Sequence, residues 1–226
     1  MRWRIAAAIC AVLAVPALTL AQPAPPAVTP PAPEPPGSSD AMDPPLVGDH
    51  WTYESHDEIT GELKYTSTTV ITDVTPNEIA VRVEFPGYPA SFFVYDHSWN
   101  LKNSPTWKYT PGDGTGIKLP LTVGSAWKFQ GDDFYSARGV SFRRSGSSKV
   151  VGEESVTTGA GTFDTFKIET SINLRNANDP TKTAQAIGTT WYAPSVDHWV
   201  KRTSKQSSNG HVDSSSRVEL VEYGRR

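Results

Sequence analysis

Three of the five histidines lie between an aspartate and a nearby tryptophan, in Asp49-His50-Trp51, Asp96-His97-Ser98-Trp99 and Asp197-His198-Trp199. Imidazole and carboxylate together hold zinc or exchange a proton when they converge on one point. Neighbouring residues on a strand point to opposite faces, so none of these dipeptides is a site by itself. They read as polar residues at strand ends, and no catalytic or metal-ligating residue is assigned. The carboxylate pairs Asp132-Asp133 and Glu153-Glu154 read as solvated turn residues, because glycosidic chemistry needs two carboxyls facing each other across a cleft. Pro111-Gly112-Asp113-Gly114-Thr115-Gly116 is glycine-rich but lacks the Lys-Ser/Thr and helix that phosphate binding requires, so it reads as a connecting loop. Nucleophile-elbow, His-Glu-x-x-His and calcium-loop patterns are absent from the sequence, and no cofactor is expected.

The aromatics are the stronger chemical signal. From Leu46 onward the chain has six tryptophans, eight tyrosines and eight phenylalanines, with no methionine and no cysteine. Such side chains fill the space between curved sheets, line a ligand pocket or stack on sugars. Trp51 and Trp127 occupy equivalent places in a repeated segment and read as core. Trp99, Trp107, Trp191, Tyr192 and Trp199 are the candidate ligand-binding residues, for a lipid, an amphiphile or a glycan.

Strands must position them. Ile79, Val81, Val83 and Phe85 alternate with polar or small residues after a turn at Pro76-Asn77. That period of two marks a strand with one buried face. Phe163, Phe166, Ile168 and Ile172 follow Gly159-Ala160-Gly161, and Val218, Leu220 and Val221 follow the turn dipeptide Asn209-Gly210. No convincing helical periodicity occurs. Val47-Gly48-Asp49-His50-Trp51-Thr52-Tyr53 also matches Val123-Gly124-Ser125-Ala126-Trp127-Lys128-Phe129, each after a Pro-Leu step. The expectation is an all-β domain of eight to ten antiparallel strands with few or no helices. An internal duplication would build it from two curved sheets, as a sandwich or open barrel. The halves would cover about 46–110 and 120–223 of a single domain spanning 46–226.

The remaining composition gives an address. Arg2 and Arg4 precede an apolar run over 5–20 that ends in Thr19-Leu20-Ala21, the form of a secretory signal cleaved after Ala21. Pro16 interrupts that run, which is short for a membrane span, so the cleaved chain is not expected to be transmembrane. Cys10, the sole cysteine, lies inside the apolar run, so the mature chain has neither disulfides nor thiol chemistry. Residues 22–45 contain ten prolines and read as a disordered, extended linker. The formal charge is −3, and −5 without Arg2 and Arg4, which disfavours nucleic acid. Arg138, Arg143, Arg144 and Lys149 read as one side of a solvated hairpin.

The second half carries a family resemblance. Val151-Gly152-Glu153-Glu154-Ser155-Val156 runs into Ala160-Gly161-Thr162-Phe163-Asp164-Thr165-Phe166-Lys167, and Trp191-Tyr192-Ala193-Pro194 is followed by Val200-Lys201. Over about 120–223 this resembles a family of exported bacterial proteins of the domain-of-unknown-function type, periplasmic or lipoprotein-like. The resemblance implies curved antiparallel sheets similar to lipoprotein-carrier folds and carries over no catalytic residue. The functional expectation is therefore a periplasmic or extracellular, non-catalytic protein that binds an apolar or amphiphilic ligand or an envelope partner. A carbohydrate- or cell-wall-binding module is the alternative, and a His/carboxylate hydrolase the weaker one.

Overall fold

The computed structural model describes residues 44–208 and 210–225. The segment read as a secretory signal and nearly all of the proline-rich stretch read as a linker lie outside them. Twelve strands follow in order: β1 (His50–Asp57), β2 (Leu63–Val74), β3 (Ile79–Glu84), β4 (Ser91–Tyr95), β5 (Leu101–Asn103), β6 (Trp107–Thr110), β7 (Ala126–Tyr135), β8 (Val140–Thr158), β9 (Gly161–Asn176), β10 (Thr183–Ala193), β11 (His198–Ser208) and β12 (His211–Gly224). A 3₁₀ turn, Pro194–Val196, separates β10 from β11.

All-β and antiparallel are correct; two facing sheets are not. Each strand pairs with its sequence neighbours, and β1 pairs with β12 to close a single barrel. The reason is continuity of the ladder. Even the short β5 and β6 keep it unbroken, joined by one register pair, Asn103↔Lys108. A sheet that can pair its own two edges leaves no exposed edge strand.

Side chains alternate as period two requires. On β7, Trp127, Phe129 and Asp133 are buried while Lys128, Gln130 and Asp132 face away. The core forms two adjoining clusters. One gathers Trp51, Tyr53, Ile71, Val81, Trp99, Val196, Val200 and Leu220. The other gathers Ile117, Leu121, Trp127, Phe129, Val150, Ile168 and Tyr192. Trp51 and Trp127 are core, as their matched positions suggested.

The two matched segments share one turn. Gly48 and Gly124 have φ of 95° and 94°, which favours glycine. The Gly48 amide donates to the Ile71 carbonyl at 2.9 Å, and the Gly124 amide to the Val150 carbonyl at 2.8 Å. Ile71 and Val150 donate back to Asp49 and Ser125, both at 2.9 Å. Each glycine thus seats the strand that carries its core tryptophan.

Two local readings change. Asp132-Asp133 and Glu153-Glu154 lie within strands, not turns, and Asp133 is buried. Arg143 and Arg144 sit on opposite faces of β8, so the basic stretch is split rather than one-sided. The inward Arg144 guanidinium donates to Asp133 at 3.0 Å and to the Asp113 and Pro111 carbonyls at 3.2 and 3.1 Å. The Pro111–Gly116 stretch is thereby tied to the sheet, and Gly114 lies against Phe129.

A β-carbon at Gly114 (φ 84°) would come within 2.0 Å of the Phe129 β-carbon, whereas one at Gly124 would meet nothing within 4 Å. Gly124→Ala should therefore cost about 1–2 kcal/mol, the left-handed backbone penalty alone. Gly114→Ala should cost about 1–3 kcal/mol more through overpacking. Urea denaturation of the two variants checks the order; equal midpoints would contradict the placement of Phe129.

Candidate functional site

The three Asp/His/Trp segments do meet, but through their tryptophans. Trp51 and Trp99 pack edge to face with centroids 5.6 Å apart. His198 stacks on Trp51 at 4.5 Å and meets Trp99 edge to face at 4.6 Å. The Trp51 indole N–H donates to the Val196 carbonyl at 3.2 Å. Trp99 Nε1 donates to Asp197 Oδ1 at 3.3 Å, and the Tyr192 hydroxyl donates to the same oxygen at 2.8 Å. Trp99 and Asp197 have φ of 57° and 48°, the only non-glycine residues with positive φ among those described. A bulky residue rarely takes that conformation, so the Trp99–Asp197 contact and the surrounding rings hold it there.

His50 and His97 stay out. His50 Nε2 lies 3.1 Å from Glu222 on the outer face, and His97 Nε2 lies 2.7 Å from the Thr75 carbonyl. His198 is 1% exposed. Its Nδ1 makes a very short hydrogen bond with the Tyr53 hydroxyl, which also lies 2.9 Å from the Trp199 carbonyl. A carbonyl can only accept, so the single Tyr53 proton goes to Trp199 and His198 Nδ1–H donates to Tyr53. Burial first, and the neighbouring Arg202 charge second, push the His198 pKa well below its usual value. Burial also raises Asp197, with nearby Asp49 adding to it. Among the described residues no three His, Cys, Asp or Glu side chains are placed to hold a metal ion.

Below this sealed cluster the inward face changes character. Phe93, Tyr95, Trp107, Tyr109, Tyr135, Phe142, Ile172 and Trp199 point inward yet remain half-buried. Trp107 stacks on Tyr135 at 4.7 Å and 22° and lies nearly parallel to Tyr109. Arg202 lies beside Trp199 and near Tyr95 and Tyr53. Its guanidinium carbon lies 3.5 Å from the Trp199 ring centre, and its Nε donates to Thr190 Oγ1 at 3.2 Å. Among the described residues no carboxylate is paired with it. Burial lowers its pKa to about 10, against the pull of Tyr95 and Tyr53. It is nonetheless partly exposed. Its register row through Thr190 to the buried Ile168 sets it on the inward face.

The five sequence candidates therefore separate. Trp99 and Tyr192 are core residues, 3% and 0% exposed. Trp199 forms the bed of Arg202, and Trp107 belongs to the inward aromatic stack. Trp191 lies between Lys167 and Lys201, and its N–H donates to Glu154 in a short hydrogen bond. Trp99 and Trp199 cross at 82°, so they form no coplanar platform. Arg202 and Tyr53 went unread in the sequence. Arg202 does share a period-two face with Val200, but it shares none with Trp199, and a bulge between the two residues decides which rule holds.

With this geometry in place, comparison with known proteins is informative. Residues 144–217 match the DUF3108-like family model. The match bears out the resemblance read in the second half, and the DUF3108-like segment contains Arg202, His198 and Trp199. Among solved structures, a candidate lipoprotein from Parabacteroides distasonis ATCC 8503 is 16% identical, with a TM-score of 0.51 over 80% of this chain and 97% of its own. The hypothetical lipoprotein YmcC from Escherichia coli K12 is 12% identical, with a TM-score of 0.48 over 80% and 87%. A candidate exported protein with a YmcC-like fold from Bacteroides fragilis is 16% identical, with a TM-score of 0.40 over 80% and 98%. The first of these likenesses shows the fold. No curated protein matches the chain.

The His198 shift has a definite pH consequence. Between its depressed folded value and about 6.5 the unfolded chain binds a proton that the folded chain does not, so stability rises with pH across that window. Acidification from about pH 7 to about pH 5 should cost up to about 1.4 kcal/mol per pH unit. Urea midpoints should show this slope in the native chain and lose it in His198→Gln. An unchanged slope in the variant would remove His198 as its source.

Proposed function

We propose that the protein is an exported, non-catalytic binding protein that holds an amphiphile with an anionic head inside the barrel. Arg202 carries this reading. An inward cation without a carboxylate costs several kcal/mol to bury, and an anionic group beside it offsets that cost. The half-buried aromatics around it suit an apolar tail. Strand number supports the same reading. Eight strands enclose a space that side chains or one small ligand fill, and diameter grows with strand number. Twelve strands therefore enclose more space than eight, and the Trp51–Trp99–His198 cluster fills one level of it.

Address and chemistry agree with this. Residues 1–21 have the form of a secretory signal, and the similar structures include proteins described as lipoproteins or exported proteins. The outward face carries register pairs such as Lys149↔Glu169 and Lys201↔Glu219, where a lipid-facing barrel needs an apolar band. A barrel surrounded by water, with its ligand inside, is the arrangement these rows support. A hydrolase reading needs a histidine beside a carboxylate in a cleft, whereas His198 is sealed in the core and His50 meets Glu222 on the outer face.

The test uses the chain from residue 22 onward, titrated with oleate and with methyl oleate and followed by tryptophan fluorescence. Oleate should bind at least about tenfold more tightly than its uncharged ester, a difference of about 1.4 kcal/mol. Arg202→Gln should erase that difference. Arg202→Met should raise stability by about 1–4 kcal/mol, since it removes an unpaired buried charge. Equal binding of the acid and ester, or no oleate adduct in native mass spectrometry at excess ligand, would overturn the reading.

A further inference from the structure

A depression across β7 to β10 has residues of both sheet faces in its lining, with Pro111, Gly131 and the inward Arg144 on one side. It has a volume of about 1140 Å³ and is lined by Gln130, Asp132, Arg143, Ser145, Arg175 and Gln185, with others. A second depression of about 680 Å³ adjoins it, sharing Gln130, Ser145 and Asn173 and adding Lys128. Two register rows build the floor, Asp132↔Arg143↔Arg175↔Thr183 and Gln130↔Ser145↔Asn173↔Gln185. Four strands at the usual spacing make each row about 14 Å long.

Arg143 and Arg175 stand directly opposite each other. Like charges in that position destabilise a sheet. Among the described residues neither arginine makes an ion pair, while the adjacent Arg144 holds the carboxylate of Asp133 on the other face. Asp132, in register with Arg143, does not bond to it. The pair thus presents two guanidinium forks to one gap, the geometry that grips a carboxylate or phosphate through paired hydrogen bonds. The second row supplies amides and a hydroxyl, which donate and accept as sugar hydroxyls do. The net charge of −3 opposes nucleic acid.

We propose that the outward rows of this groove bind an acidic saccharide chain, with its anionic groups lodged between Arg143 and Arg175. The site is separate from the interior one and does not depend on it.

The experiment measures binding of the chain from residue 22 onward to a panel of acidic oligosaccharides, galacturonate hexamer and a phosphorylated hexasaccharide, beside the fully methyl-esterified galacturonate hexamer. The acidic chains should bind at least tenfold more tightly than the ester. The double variant Arg143→Gln, Arg175→Gln should lose that advantage while keeping its oleate affinity and keeping or raising its melting temperature. Arg202→Gln should leave saccharide binding unchanged. Preference for the phosphorylated member identifies phosphate as the recognised anion, and preference for galacturonate identifies carboxylate. Three outcomes would overturn the proposal: no acidic chain binds, the double variant binds as the native chain does, or the loss follows Arg202→Gln instead. Failure of the oleate titration alone would overturn only the interior reading.

Discussion

The pairing of β1 with β12 joins side chains as far apart in sequence as His50 and Glu222, 172 positions, and the rest of the protein follows from that closure. Eleven of the twelve strand contacts are between sequence neighbours, so their loop-closure cost is small. The last contact alone spans the domain. Once it forms, the inward faces of all twelve strands share one enclosed space, and the chain must either fill it or line it. Asp49 and Arg225 sit at this seam, 3.4 Å apart, and Arg225 also donates to the Pro44 carbonyl at 3.2 Å. The two ends of the described chain are thereby tied together where the sheet closes.

Filling and lining divide the interior into two levels. At the first, Trp51, Trp99, Tyr53, Tyr192 and His198 pack without a carboxylate on the imidazole, and the indole N–H and tyrosine hydroxyl groups find backbone or Asp197 partners. Such a network is rigid because its indole and hydroxyl donors are satisfied. At the second level Arg144 is compensated by Asp133 and Arg202 is not. The contrast between two inward arginines on one barrel gives the charge of Arg202 its meaning. Stacking on Trp199 stabilises the cation but supplies no opposite charge.

Bulges decide which residues reach either level. The shift between Trp191 and Tyr192 on β10 leaves Val200 as the extra residue on β11. Trp199 and Arg202 then face inward together, although strict alternation would separate them. A second register shift lies between Val150 and Gly152 on β8. Bulges of this kind re-aim side chains at functional places in barrels. On the unbulged stretch of β7 to β10 the alternation holds, and it sets the buried Arg144 against the outward Arg143.

Much was legible before any coordinates. Period-two runs at Ile79–Glu84 and after Gly161, glycine-bearing turns, and the match of Gly48-Trp51 with Gly124-Trp127 specified antiparallel strands and two core tryptophans. Those features depend on local geometry, which a sequence carries residue by residue. Closure was not legible, because whether β1 meets β12 or packs as part of a second sheet depends on the summed twist and stagger of all twelve strands. The convergence of Trp51, Trp99 and His198 follows only from that closure. The inward aim of Arg202 depends on one extra residue in a ladder, which alternation along a single strand does not reveal. Composition and local pattern determined the class of fold and the buried tryptophans; the partner of each strand, and so the site, was decided by the tertiary structure.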